Sequence, residues 1–150
     1  MKQITKPADN LGGLLKVWAV PNSVISVNGK DVSFSNSDNI YAIYCSAETM
    51  DLKEQAVTTD AGTHYNTDIT GFIPANREEV LDAMKDMQSK PFRIIIQDGN
   101  GDYLLAGNQS CPLRLQAILK SGTNTSDLAG YQIHFSGETI SRAGFINNPF

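Results

Sequence analysis

The chain has 150 residues, 41% of them apolar and 19% charged, with a formal charge of -4 and a pI of about 5.0. That size suits one domain, able to bury about 70% of the surface its unfolded form exposes, and the composition is globular and not that of a disordered chain. The 12 Lys and Arg residues are scattered, without the basic stripe a nucleic-acid binder uses to neutralise phosphates.

Residues 1–13 read as an arm, charged, interrupted by Pro7 and closed by Gly12 and Gly13. Lys16 breaks the first apolar run, so no signal peptide is expected. No stretch approaches the roughly 20 apolar residues of a membrane helix. Both points lead us to expect an intracellular product with no membrane partner. A single domain over 14–146 and a short tail, 147–150, follow the arm.

Leu14 to Val20 has the composition of a strand, ended by Pro21 and Asn22. Asn28 and Gly29 lie between two alternating runs, a hairpin signal because both residues tolerate positive φ. Asn39 to Ser46 is aromatic and β-branched and predicts another strand. From Glu48 to Ile73 the chain is polar, Thr-rich and alternating, which predicts two long strands broken near Asp60, Ala61 and Gly62.

The spacing of Val80, Leu81, Met84 and Met87 predicts a helix over about 76–89, with one apolar face turned to the core. Asn76 and Glu79 have the spacing of a capping box, and Pro91 follows the helix closely. Beyond it, Leu113, Leu115, Ala117 and Leu119 alternate with Arg114, Gln116 and Lys120. Tyr131, Ile133 and Phe135 share a face of a further strand. Nine or ten strands and one helix predict a mainly β fold, α+β by content. The expected form is a β-sandwich or barrel-like pair of antiparallel sheets with one flanking helix.

Chemistry-bearing patterns are few. Asp98, Asn100 and Asp102 begin like a calcium loop. However, Tyr103 stands where the sharp turn requires Gly, and Gln109 where a bidentate Glu is needed. The stretch reads as a hairpin turn. His64 and His134 belong to no metal-ligand spacing. Cys45 and Cys111 form neither a CxxC motif nor a disulfide scaffold and read as small buried hydrophobes. Neither a nucleophile elbow nor a phosphate-binding loop is present. No cofactor, no metal and no enzymatic activity are expected.

Interaction surfaces are the better candidates. Ile4 and Leu11 in the arm, with Phe145, Ile146 and Phe150 at the other end, are apolar residues that a free monomer would leave wet. They are candidate contacts between copies. Glu48, Asp51, Glu54, Asp60 and Asp68 make the 48–73 segment acidic, with Lys53 as its basic counterpart.

The ordered run "YNTDITGFIP", a short helix, "PFRIIIQDGNGDYLLAG", "PLRLQAILKSGTNTSDLAGYQIHFSGET" and "FINNPF" resembles small β-sandwich structural proteins of tailed bacteriophages and prophages, from about residue 40 to the end. The resemblance lies in the order of elements and not in a motif. It implies a virion structural protein, foremost a tail tube subunit and next a head-tail connector, completion or decoration protein. Such a chain would be made in the bacterial cytoplasm and reside in the virion. Its partners would be copies of itself and other virion proteins, with DNA only as passing cargo. The five acids are then expected on a channel-facing sheet, where like charge keeps DNA from sticking. The alternative is a β-sandwich binding module for carbohydrate or a protein partner, with Trp18, Tyr41, Tyr44, Tyr65 and Tyr131 as a platform. A small enzyme would require His64, His134 and acidic side chains to converge.

Overall fold

The computed structural model describes residues 12–46, 48–74, 77–124, 126–127 and 129–150, apart from the side chain of Leu15. Over these residues the chain forms eleven strands and one α-helix, and every strand pairing is antiparallel. The β-rich architecture with one helix is the one expected from the sequence.

Two sheets diverge from one strand, β7 (Pro91–Asp98). On one side β7 pairs along its length with β1 (Leu14–Pro21), which in turn pairs with β4 (Tyr41–Ile43). On its other side the far half of β7 meets β8 (Tyr103–Ala106), next to β11 (Gly144–Ile146). These five strands make the first sheet. The near end of β7, Pro91 and Phe92, instead pairs with Arg114 and Leu113 at the start of β9 (Leu113–Lys120). From β9 the second sheet continues through β10 (Gly130–Thr139) and β6 (Gly62–Ile73) to β5 (Asp51–Thr59).

The alternation of β7 explains the layering. Phe92, Ile94 and Ile96 enter a core shared with Val17 and Ala19 of β1, Ile69 of β6, Leu113 and Leu115 of β9, and Ile133 and Phe135 of β10. That core lies between the sheets. Ile95 points the other way, into a second cluster with Val20, Val24 and Ile25. Here the outer face of the first sheet is covered by the hairpin of β2 (Ile25–Asn28) and β3 (Asp31–Phe34). The hairpin forms as expected, but its loop is Gly29 and Lys30, one residue past the Asn-Gly pair. Asn28 pairs with Asp31 as the last residue of β2, and Gly29 takes the positive φ of 63°. A strand buried on both faces has no polar side to show, hence the run Ile94, Ile95, Ile96.

The helix α1 (Glu78–Gln88) closes the space beside β9, with Met84 and Met87 buried in the inter-sheet core and Val80 packed against it. Leu81 departs from the expected face and is 37% exposed. Val80, Met84 and Met87 follow the i, i+4, i+7 line, and Leu81 is rotated off it. The helix starts later than the capping-box reading places it. Arg77 occupies the cap position with no side-chain cap bond, and Asn76 lies outside the described residues. Glu78 and Glu79 in the first turn suit the positive end of the helix dipole.

Two other expectations shift. The strand predicted over Asn39 to Ser46 is confined to Tyr41–Ile43, after a 3-10 turn at Ser37–Asn39. Leu119, expected inward, is 50% exposed, because β9 runs past the layer that would cover it. At Asp98 the chain makes the predicted turn. Its Oδ1 accepts from the N–H groups of Asn100 at 2.9 Å and Asp102 at 3.0 Å, which closes the β7–β8 hairpin.

Candidate functional site

The second sheet presents one face to the core and the other to solvent. Its register fixes which side chains share the solvent face. Ser136 of β10 stands between Arg114 of β9 and Asp68 of β6, and Asp68 stands opposite Lys53 of β5. One row along, Gln116, His134, Thr70 and Asp51 are aligned. Asp68 Oδ1 lies 2.8 Å from His134 Nε2, a pair exposed by about 40% on each side. With Lys120 and Glu138 at the two ends of this face, three carboxylates (Asp51, Asp68, Glu138) oppose three permanent cations (Lys53, Arg114, Lys120).

The five acids therefore do not form one acidic lining. Asp51 and Asp68 share the solvent face, where Lys53 stands opposite Asp68 and His134 is hydrogen-bonded to it. Glu54 pairs with buried Thr67 and so points to the opposite side of the sheet. Its Oε1 accepts from the N–H of Ala143 at 2.6 Å. Asp60 sits in the turn of the β5–β6 hairpin, and Glu48 precedes β5 in a left-handed conformation, φ 61°. A period-2 strand sends neighbouring charges to opposite faces, so acidic composition alone does not make an acidic surface.

The edges of this sheet are more distinctive than its charge. Among the described residues β5 pairs with β6 and with no other strand, so nine residues present an open edge. Its second half, Gln55 to Thr59, carries no charge to repel an incoming strand. The last residues of β5 and the first of β6, Val57–Thr59 and Gly62–His64, extend beyond β10 and pair with each other alone. At the far side of the sheet β9 meets α1, but its end emerges with Ile118 58% and Leu119 50% exposed.

The expected contact residues divide. Ile4 and Leu11 lie outside the described residues. Phe145 is 59% exposed. Ile146 packs on the outer cluster of its own chain. Phe150 stacks on Trp18 with centroids 4.6 Å apart and on Phe34 at 5.7 Å. Asn147 anchors this tail by donating from its backbone to Lys30 O and from its side chain to Asp31 Oδ1. The tail thus has partners within the chain.

The aromatic residues considered as a platform are dispersed. Tyr131 is buried in the core, Tyr65 lies under the Arg142 guanidinium, and Trp18 is stacked by Tyr103 and Phe150. Tyr41 and Tyr44 share a groove between β4 and α1, and Tyr44 shares a second with Trp18 beside Lys16 and Met50. His64 and His134 are both on β6–β10 but at separate rows. Among the described residues no three potential metal ligands cluster, and no helix is long and apolar enough to cross a membrane. No family model, curated protein or solved structure matches this chain.

Proposed function

We propose that this chain is a self-assembling structural subunit of the tailed-phage virion, of the tail tube kind, whose second sheet continues from copy to copy. The observation that supports this reading is the open nine-residue edge of β5. In a head-to-tail ring, that edge of one subunit lies along the exposed Ile118–Leu119 end of β9 in the next. The unpaired backbone groups of both are then satisfied, and two exposed apolar side chains are buried. An interface between two different surfaces closes into a ring when the rotation per subunit allows it. The solvent face of the sheet becomes the wall of the channel. Its three acids and three bases give a polar wall without net permanent charge, less repellent to passing DNA than the acidic lining expected from composition.

Light scattering with negative-stain imaging across a concentration series tests assembly. Two proline variants test the edge. Successive residues of an antiparallel strand direct their N–H groups alternately toward and away from the partner, so of Gln55→Pro and Ala56→Pro one breaks the β5–β6 ladder and the other removes only an outward donor. The variant that keeps its native fold should remain monomeric under conditions where the wild type forms rings. Rings from that variant would exclude β5 as the joining edge.

A further inference from the structure

Gly12, where the described chain begins, lines a surface hollow of about 340 Å³ with Gly13, Cys45, Glu48 and Met50. Gly13 turns there at φ 90°, and its carbonyl accepts from the N–H of Gly99 at 3.1 Å. The point from which residues 1–11 depart is thereby fixed. A second hollow, of about 450 Å³, shares Cys45 and Met50 with the first and adds Lys16, Trp18, Ala42, Ile43 and Tyr44. The groove between β4 and α1, of about 400 Å³, shares Ala42, Ile43 and Tyr44 with the second. Together the three make one path across the surface, from Gly12 to the helix.

The far end of this path is apolar, lined by Tyr41, Tyr44, Ile73, Val80, Met84 and Met87. Tyr44 is 76% exposed, more than any other large apolar side chain among the described residues. There too β4 pairs with β1 alone, so its other edge is open. The helix beside the groove is acidic. Glu78, Glu79, Asp82 and Asp86 stand against Lys85, and among the described residues only Asp86 has an ion pair, with Lys90. Glu79 itself lines the groove.

The sequence before Gly12, MKQITKPADNL, has the complementary features. Ile4 stands midway between Lys2 and Lys6, and Asp9 lies nearer the described chain. In an extended segment Lys2, Ile4 and Lys6 share one face. Ile4 in the groove would therefore bring a cation to either side of it along the acidic helix, while Asp9 would fall nearer Lys16 of the middle hollow. The length suffices, since eleven extended residues reach roughly 36 Å and Tyr41 to Tyr44 cover about 10 Å of strand.

We propose that this groove is the docking site of the chain's own N-terminal segment, with Ile4 seated between β4 and α1 and Lys2 and Lys6 against the acids of the helix. One copy suffices, so the proposal stands or falls apart from self-assembly. Docking takes Ile4 and part of the Tyr44 ring out of water, which is the driving force.

The test uses the whole chain with the photoreactive p-benzoylphenylalanine in place of Ile4, irradiated as an equal mixture of unlabelled and heavy-isotope protein. The expected cross-links run from position 4 to Tyr41, Tyr44, Val80 or Met84 and join peptides of one isotope. Ile4→Asp, which alters no core residue, should raise the hydrogen-exchange rate of the β4 amides about tenfold or more, whereas Ile4→Val should leave it near that of the wild type. Cross-links that join a light to a heavy peptide would give the groove to a second copy, and cross-links that avoid it would leave it to another occupant. Either result, or equal exchange in Ile4→Asp and the wild type, would overturn the proposal.

Discussion

Glu54 Oε1 accepts the backbone N–H of Ala143 at 2.6 Å, which ties the edge strand β5 to the segment leading into β11, 89 positions further along the chain. The bond joins the open margin of the second sheet to the first sheet. Charge-assisted bonds of this type contribute about 1.5–3 kcal/mol where partly shielded from water. Glu54→Ala should cost roughly that lower value in chemical denaturation, whereas Glu54→Gln, which retains an acceptor, should cost less. Equal losses for the two variants would show that the contact is not used.

Tyr131 carries the one buried side-chain oxygen or nitrogen without a hydrogen-bond partner among the described residues, its hydroxyl. An unsatisfied buried polar group costs about 1–3 kcal/mol. Tyr131→Phe keeps the ring in the core and removes that cost, so the variant should be as stable as the wild type or more so by urea midpoint. A loss above about 1 kcal/mol would reveal a partner for the hydroxyl, such as an internal water.

Gly130 begins β10 where the strand passes close to the end of β6. A Cβ there would stand 2.0 Å from Ile73 O, a backbone atom that cannot rotate aside. Gly130→Ala should therefore destabilise by about 3 kcal/mol or more, at or beyond the upper end of ordinary overpacking. Gly144→Ala is the control, since nothing lies within 4 Å of the position its methyl would take. Comparable stability of the two variants would contradict the close approach.

Trp18 reports on the tail. With Phe150 stacked upon it, Phe150→Ala should shift its fluorescence to the red and lower stability by about 1 kcal/mol, the scale of an aromatic pair. Unchanged emission would mean that the tail leaves the ring in solution.

Cys45 is buried, and burial pushes its thiol pKa from 9.0 up to about 11. The neutral thiol is thus favoured in the folded state. Its stabilising contribution is complete below pH 9 and is lost as pH rises through about 11. At pH 8 iodoacetamide should reach Cys111, which is half-buried, well before Cys45. Mass mapping of partly alkylated protein checks the order.

The sequence and the structure agree wherever a local rule is decisive. The hairpins signalled by Asn28-Gly29 and by Asp60-Ala61-Gly62 form where Gly29, φ 63°, and Gly62, φ 126°, take backbone angles that few other residues accept. Tyr131, Ile133 and Phe135 alternate inward because a half-buried strand permits nothing else. Leu119 and Leu81 show the limit. Each satisfies its periodicity, yet whether a covering layer reaches it is settled by elements distant in the chain. The same holds for the acids between Glu48 and Asp68, whose distribution follows from strand phase and from Lys53, Arg114 and His134 across the sheet. The buried guanidinium of Arg93 is the least legible feature. Arg93 lies in a run of strand residues, and its partners Asn22 and Gln109 come from loops 71 and 16 positions away.

The position of β7 has a consequence for how this molecule comes apart. Every residue from Phe92 to Ile96 is within 5% of complete burial, and the strand is hydrogen-bonded on both sides to partners from both sheets. Its amides can exchange with solvent only when the two sheets separate, so their exchange should measure global unfolding. β5, with one neighbour and mostly exposed side chains, should exchange orders of magnitude faster in an isolated chain. If copies join at that edge, its outward amides become as slow as those of β7, and the difference in rate vanishes on assembly.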